Sequence, residues 1–176
     1  MKKILAFAGS NSSTSINHQL ILATSKLTSK ANIEVISLRD YEAPVFGVDL
    51  LALKGMPESM TRLSKKMKTA DGFIVSFAEH NGSMTAAVKS AFDWLSKIEG
   101  KFFLDKPVVF LATSNGARGG ASALKHVVEI MPYRGAKIIG NHSIGGFEEK
   151  VVNGEIINET DKKRIQQLLS ELTDSL

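Results

Sequence analysis

The sequence contains no cysteine in 176 residues. Disulfides and thiol nucleophiles are therefore excluded, and a reducing cytoplasm is the expected compartment. No apolar run approaches the roughly 20 residues needed to span a bilayer, so no membrane partner is expected. A strand follows directly on Lys2 and Lys3, with no signal-peptide apolar region or cleavage site. Trp and Tyr are scarce, one and two residues, against nine Phe. The basic residues, 22 Lys and Arg against 18 Asp and Glu, are not interleaved with aromatics. The groups Lys65-Lys66-Lys68 and Lys162-Lys163-Arg164 fall on exposed helix faces, and no nucleic-acid-binding signature is present. No nucleic-acid partner is expected. The +4 net charge supplies a mild field that favours anionic ligands.

What the sequence does have is an alternation of short apolar runs with longer periodic segments, and no internal repeat or linker. Strands are expected at Lys3–Ala8, Ile33–Leu38, Gly72–Phe77, Val108–Thr113 and Lys137–Gly140. Helices are expected over Ser15–Ser29, from Pro57 to about Ala70, from an N-cap at Ser83 through Leu95, around Leu124–Met131, and over Thr160–Leu176. Arg39–Met56 reads as a long loop, and Phe147–Ile157 as a small hairpin turning at Asn153-Gly154. Each strand-to-strand connection passes through a helix, which gives a parallel sheet in an α/β sandwich. The simplest arrangement is a flavodoxin-like three-layer fold, with strand order 2-1-3-4-5, helices on both faces, and residues 1–176 forming a single domain. Ligands of such sheets bind beyond the carboxyl ends of the strands, near the switch in strand order. Three unusual loops fall there.

The first, Gly9 to Asn17, places six consecutive small polar residues, Ser10 to Ser15, before a helix. Hydroxyls, backbone N–H groups and a helix N-terminus gathered at one point suit a phosphate. GxxxxGK[ST] and GxGxxG are both missing, which excludes a triphosphate P-loop and the dinucleotide fingerprint. A monophosphate remains, with Ser10, Ser12, Ser15, Ile16 and Asn17 as candidate contacts. The alternative is a solvated Ser-rich loop capped by Ser15.

In the second loop, Glu79 to Ser83, Asn81-Gly82 makes a tight turn whose N–H groups could read the polar edge of an isoalloxazine ring. The alternative is a plain strand-to-helix turn. The third loop, Ser114 to Gly120, is glycine-rich and lined with donors. Ser114, Asn115, Gly116 and Gly119 are its candidate contacts. Absence of GxSxG argues against a serine hydrolase. His18, His126 and His142 lack metal-ligand spacing, so no metal site is expected.

Gly9-Ser10-x4-Ser15-x-Asn17 resembles the GSxxxxSxN phosphate motif of the NADPH-dependent FMN reductase family. Glu79-x-Asn81-Gly82-Ser83, followed by Lys89-x3-Asp93-Trp94, resembles that family's PEYNGSxPGxLKNAIDW segment. The resemblance implies a flavodoxin-like FMN-dependent oxidoreductase, dimeric or tetrameric. Such an enzyme uses NADPH or NADH to reduce a small-molecule electron acceptor: a free flavin, a quinone, an azo dye or chromate. It also implies that Ser10, Ser15 and Asn17 bind the FMN phosphate and that Glu79, His80, Asn81 and Gly82 line its ring. Arg118 would face the 2′-phosphate of NADPH or a neighbouring subunit. Ser12 replaces an arginine common in the motif. Ala78 replaces a proline, His80 a tyrosine, and Thr85-Ala86 a Pro-Gly pair. A flavodoxin-type electron carrier is the alternative function, and the basic pI near 9.3 argues against it. A receiver domain would need an acidic pair where Gly9-Ser10 stands and an aspartate where Ser76-Phe77 stands.

Overall fold

Strand β1 (Lys3–Gly9) is buried from Ile4 to Ala8 and sits inside the sheet, hydrogen-bonded on both edges. The computed structural model describes residues 1–176. In chain order, β1 is followed by α1 (Ile16–Ser25), β2 (Asn32–Ile36), a 3-10 turn (Leu38–Tyr41), α2 (Val48–Lys54), α3 (Glu58–Thr69) and β3 (Gly72–Phe77). A two-residue pair, β4 (Glu79–His80) and β5 (Ser83–Met84), then precedes α4 (Ala86–Ile98), β6 (Lys106–Ser114) and α5 (Ala121–Ile130). A second 3-10 turn (Met131–Arg134) leads into β7 (Ala136–Gly145), α6 (Phe147–Lys150), the pair β8 (Val151–Val152) and β9 (Glu155–Ile156), and α7 (Glu159–Asp174).

The main sheet has the order β2-β1-β3-β6-β7, and every pairing in it is parallel. This is the expected 2-1-3-4-5 arrangement, with the short antiparallel arms counted separately. Alternation along the strands divides the core in two. Leu5, Phe7, Phe73, Val75, Phe77 and Phe110 face α3, α4 and α5, while Ile4, Ala6, Ile74, Val109 and Leu111 face α1 and α7. The first face is aromatic: Phe92 stacks on Phe102 at 4.8 Å, and Phe77 meets Phe110 edge-on at 5.5 Å. Trp94 is buried as part of this face, and its Nε1 donates to the Pro44 carbonyl at 2.8 Å.

Four local expectations change. Arg39–Met56 is not all loop, because α2 forms within it; none of its residues is fully buried, so it shows no core-facing stripe. Strand β7 runs on to Gly145, beyond the expected end at Gly140, through Asn141, His142 and Ser143, which break the apolar run. The Phe147–Ile157 segment opens with a helical turn, and only Val151–Ile156 forms the hairpin. The third expected helix is capped by Thr85, not Ser83, because Ser83 is taken into β5.

No helix is long and apolar enough to cross a membrane. Lys106 crosses to the C-terminal end of α3, where its ammonium donates to the Lys68 carbonyl at 3.0 Å. Burial holds this lysine's pKa below its ordinary value, only partly offset by Asp71.

Candidate functional site

Loop one leaves β1 at the centre of the sheet's carboxyl edge and folds on its own hydroxyls. Ser12 N–H donates to Ser10 Oγ at 3.2 Å, and Thr14 N–H donates to Ser12 Oγ at 3.2 Å. Ser15 caps α1 by accepting from His18 N–H at 3.2 Å. Of the first four N–H groups of the helix, those of Ser15, Ile16 and Asn17 have no partner within the chain. They project from the positive end of a ten-residue helix.

Asn17 is 2% exposed and joins three elements. Its Oδ1 accepts from Ser76 Oγ at 2.7 Å and from Thr113 N–H at 3.0 Å, and its Nδ2 donates to the Thr113 carbonyl at 3.1 Å. The side chain therefore fastens the start of α1 to β3 and β6. One Nδ2 hydrogen is left over for a ligand.

A cavity of about 270 Å³ opens over this point. Eight of the sequence-predicted residues line it: Ser10, Ser12, Ser15, Ile16, Asn17, Glu79, Ser114 and Asn115. Thr14, Ala78 and Thr113 complete the wall, and no lysine or arginine is among the lining residues. The donor set is hydroxyls, amides and a helix end, which fits a phosphate monoester bound without a dedicated cation. Ala78 and Thr113 are not among the residues picked out from sequence. Thr113, a polar residue ending an otherwise apolar strand, was the available signal.

The remaining predicted residues lie elsewhere. Asn81 (φ 52°) and Gly82 (φ 77°) form the exposed tip of the β4–β5 hairpin. Both take the left-handed conformation that a two-residue turn requires. His80 neighbours Glu79 on a strand, so the two side chains point to opposite sides, and His80 lines a different cavity. Gly116 and Gly119, within loop three, pack against the end of β7: a Cβ on Gly119 would stand 2.6 Å from Gly145 N.

Glu79 also has a structural task. Its Oε2 accepts from Ala123 N–H at 3.0 Å, in the first turn of α5. The N-cap of that helix, Gly120, has no side chain to offer, so loop two caps the helix that follows loop three. Arg118 stands 3.8 Å from Glu79 Oε1 with its side chain 80% exposed. In loop three, Ser114 Oγ donates to the Gly116 carbonyl at 3.1 Å and Asn115 Nδ2 to Glu148 Oε1 at 2.8 Å. His142 Nε2 meets Asp161 Oδ1 at 2.7 Å, and His126 Nδ1 lies 3.1 Å from Ser83 Oγ.

Thr85 ties loop one to α4: its hydroxyl donates to the Gly9 carbonyl at 2.9 Å and accepts from Val88 N–H at 3.3 Å. Thr85→Ala is expected to lower stability by about 1–2 kcal/mol, with Thr85→Ser close to the parent. Urea unfolding checks this, and equal midpoints for the alanine variant and the parent would remove the cap from the account.

A family model described as NADPH-dependent FMN reductase matches residues 2–149. A quinone reductase of Escherichia coli (strain K12) is 25% identical over 173 residues, covering 97% of this chain and 92% of the relative. An NAD(P)H-dependent FMN reductase of Pseudomonas aeruginosa is 26% identical over 177 aligned residues, again covering 97% and 92%. Among solved structures, the flavoenzyme NAD(P)H:(acceptor) oxidoreductase of Paracoccus denitrificans superposes with a TM-score of 0.79 at 24% identity, covering 99% of this chain and 97% of that one. At that identity the superposition speaks for the shared fold alone.

Proposed function

Because the chain belongs to the NADPH-dependent FMN reductase family, we propose that it is an NAD(P)H oxidoreductase of the cytoplasm that works through bound FMN on a small electron acceptor. The observation that carries this reading is the cavity over α1, where three unpartnered N–H groups meet a wall of hydroxyls. FMN held there would supply the redox chemistry, two-electron transfer from the nicotinamide to the acceptor. A quinone takes up those two electrons with two protons and leaves as the hydroquinone; one hydrogen comes from NAD(P)H and the other proton from solvent. The acceptors in view are a free flavin, a quinone or an azo compound, and the named E. coli relative favours the quinone.

The residues of this chain hold and orient. The N–H groups of Ser15, Ile16 and Asn17, with the hydroxyls of Ser10, Ser12 and Ser15, hold the phosphate. The walls built by Glu79, Ser114 and Asn115 fix the direction in which the remainder of the cofactor leaves the cavity. Hydride transfer needs no acid–base side chain, and none is assigned here. We further assign a homodimer or homotetramer of this single domain. Sedimentation of the purified chain gives the copy number.

The test uses the purified full chain. After incubation with FMN and removal of excess, it should show flavin absorbance, release FMN on denaturation, and oxidise NADPH or NADH when given a quinone. Protein that retains no flavin and oxidises neither nucleotide would end this reading. Ser12 adds a graded test. Ser12→Arg returns a cation to the phosphate wall and is expected to tighten FMN binding about tenfold, since a charge-assisted hydrogen bond contributes roughly 1.5–3 kcal/mol. The gain should shrink with added salt, and fluorescence titration of FMN at two ionic strengths reads both effects.

A further inference from the structure

Glu79 is the only charged residue in the wall of the phosphate cavity, and its sign opposes the ligand. A cavity of about 270 Å³ is on the order of 8 Å across, so an anion inside it lies within roughly one Debye length of that carboxylate at physiological salt. Arg118, in loop three, answers this charge: its guanidinium stands 3.8 Å from Glu79 Oε1. We propose that Arg118 is a specificity-determining residue, which offsets Glu79 from outside the wall and thereby favours a phosphorylated flavin over the dephosphorylated one. The proposal rests on the FMN reading above.

Glu79 is held in the wall by a structural task. Its Oε2 accepts from Ala123 N–H at 3.0 Å and so caps α5, whose own N-cap is Gly120. Water reaches only 16% of the Glu79 side chain, so screening there is incomplete. Arg118 is placed differently. Its side chain is 80% exposed, and Glu79 is the partner that draws it toward the cavity. A second carboxylate stands close: Glu148 Oε1 accepts from Nδ2 of Asn115, another wall residue, at 2.8 Å. The lysine of the same helix, Lys150, is turned to Asp161 at 3.0 Å. Two carboxylates therefore border the cavity, and Arg118 is the cation paired with one of them.

An exposed ion pair contributes little to folding stability. Its effect on a charged ligand is another matter, because a phosphate monoester carries nearly two negative charges and each neighbouring charge acts on both. That influence reaches about a Debye length and is removed by salt. Riboflavin supplies the contrast: it has the same ring and ribityl chain, with a hydroxyl where FMN has its phosphate. A residue that acts through its charge moves FMN alone, whereas one that shapes the loop moves both flavins.

Titrating the purified full chain with FMN and with riboflavin, at low and at high salt, separates these cases by flavin fluorescence. Arg118→Glu should weaken FMN about tenfold at low salt and leave riboflavin binding as in the parent. Arg118→Ala makes half that change in charge and should weaken FMN about threefold, while Arg118→Lys should keep the parent's preference for FMN. Both losses should fade at high salt. Adding Glu79→Gln to the Arg118→Ala protein removes the opposing carboxylate, keeps an acceptor for Ala123 N–H, and should recover most of the lost FMN affinity. Urea midpoints report folding separately at this exposed position. An Arg118→Glu protein that binds FMN as the parent does, that weakens both flavins by one factor, or whose loss persists at high salt would overturn the proposal. A parent that binds neither flavin would end the FMN reading along with it, whereas a parent that binds FMN and is indifferent to Arg118 ends this inference alone.

Discussion

Asn17→Asp is expected to abolish phosphate capture and to weaken the fold at the same time. The aspartate keeps an oxygen for Ser76 Oγ and Thr113 N–H, now 2.7 and 3.0 Å from Asn17 Oδ1. Its second oxygen, however, replaces Nδ2 and faces the Thr113 carbonyl, which now accepts at 3.1 Å. Two acceptors would oppose each other where there was a hydrogen bond, and a charge would be placed at a position 2% exposed. A loss of about 2–4 kcal/mol in unfolding free energy follows, together with a drop of at least roughly 100-fold in FMN affinity from the carboxylate facing the phosphate. Burial raises the pKa of the new carboxyl above its unfolded value. The destabilisation is therefore largest at neutral pH and eases as pH falls through that raised value, where the protonated acid can donate to Thr113. Urea unfolding at several pH values and FMN titration near neutrality check the two halves separately. Undiminished FMN affinity in the aspartate variant would place the phosphate somewhere else.

Gly145→Ala is expected to dislodge loop three. A Cβ there would stand 2.2 Å from the Ala117 carbonyl oxygen, 2.6 Å from its carbon and 3.0 Å from the Gly116 oxygen. All three are backbone atoms, so no side chain can rotate away, and the loop itself must lift from the end of β7. Overpacking of this kind costs about 1–3 kcal/mol. Lifting the loop also removes the Ser114 and Asn115 wall from the phosphate cavity. The expected result is a lowered melting temperature together with flavin retained poorly through gel filtration. Gly100→Ala is the matched control, because a Cβ at Gly100 meets nothing within 4 Å. A Gly145→Ala protein that melts and retains flavin as that control does would show that the loop has room to adjust.

The centre of the sheet was legible in the sequence because β1, β3 and most of β6 are covered on both faces and read as apolar runs. β3 is buried at every position, and its limits are those expected. Loop one was legible because six polar residues in a row exceed what a turn needs. Other features had no local signature. Asn17 reads as a helix-start residue, but its partners lie 59 and 96 residues away in sequence, so its fastening role appears only once the chain is folded. Ser83 and Thr85 are equivalent as caps by composition, and pairing of Ser83 with His80 in the hairpin decides between them. Helix α2 escaped notice because its apolar residues lie half-buried or exposed instead of forming a stripe. The division of Glu79 and His80 between two cavities follows from a two-residue strand too short to show a period.

That division has an evolutionary consequence. Adjacent positions on β4 project into separate chambers, so a point substitution at His80 can alter the preference of one chamber while leaving the other as it was. A single-residue insertion in the same hairpin would exchange the two side chains and disturb both chambers together. Descendants of this chain are therefore expected to diversify at position 80 by substitution, with the length of the hairpin held constant.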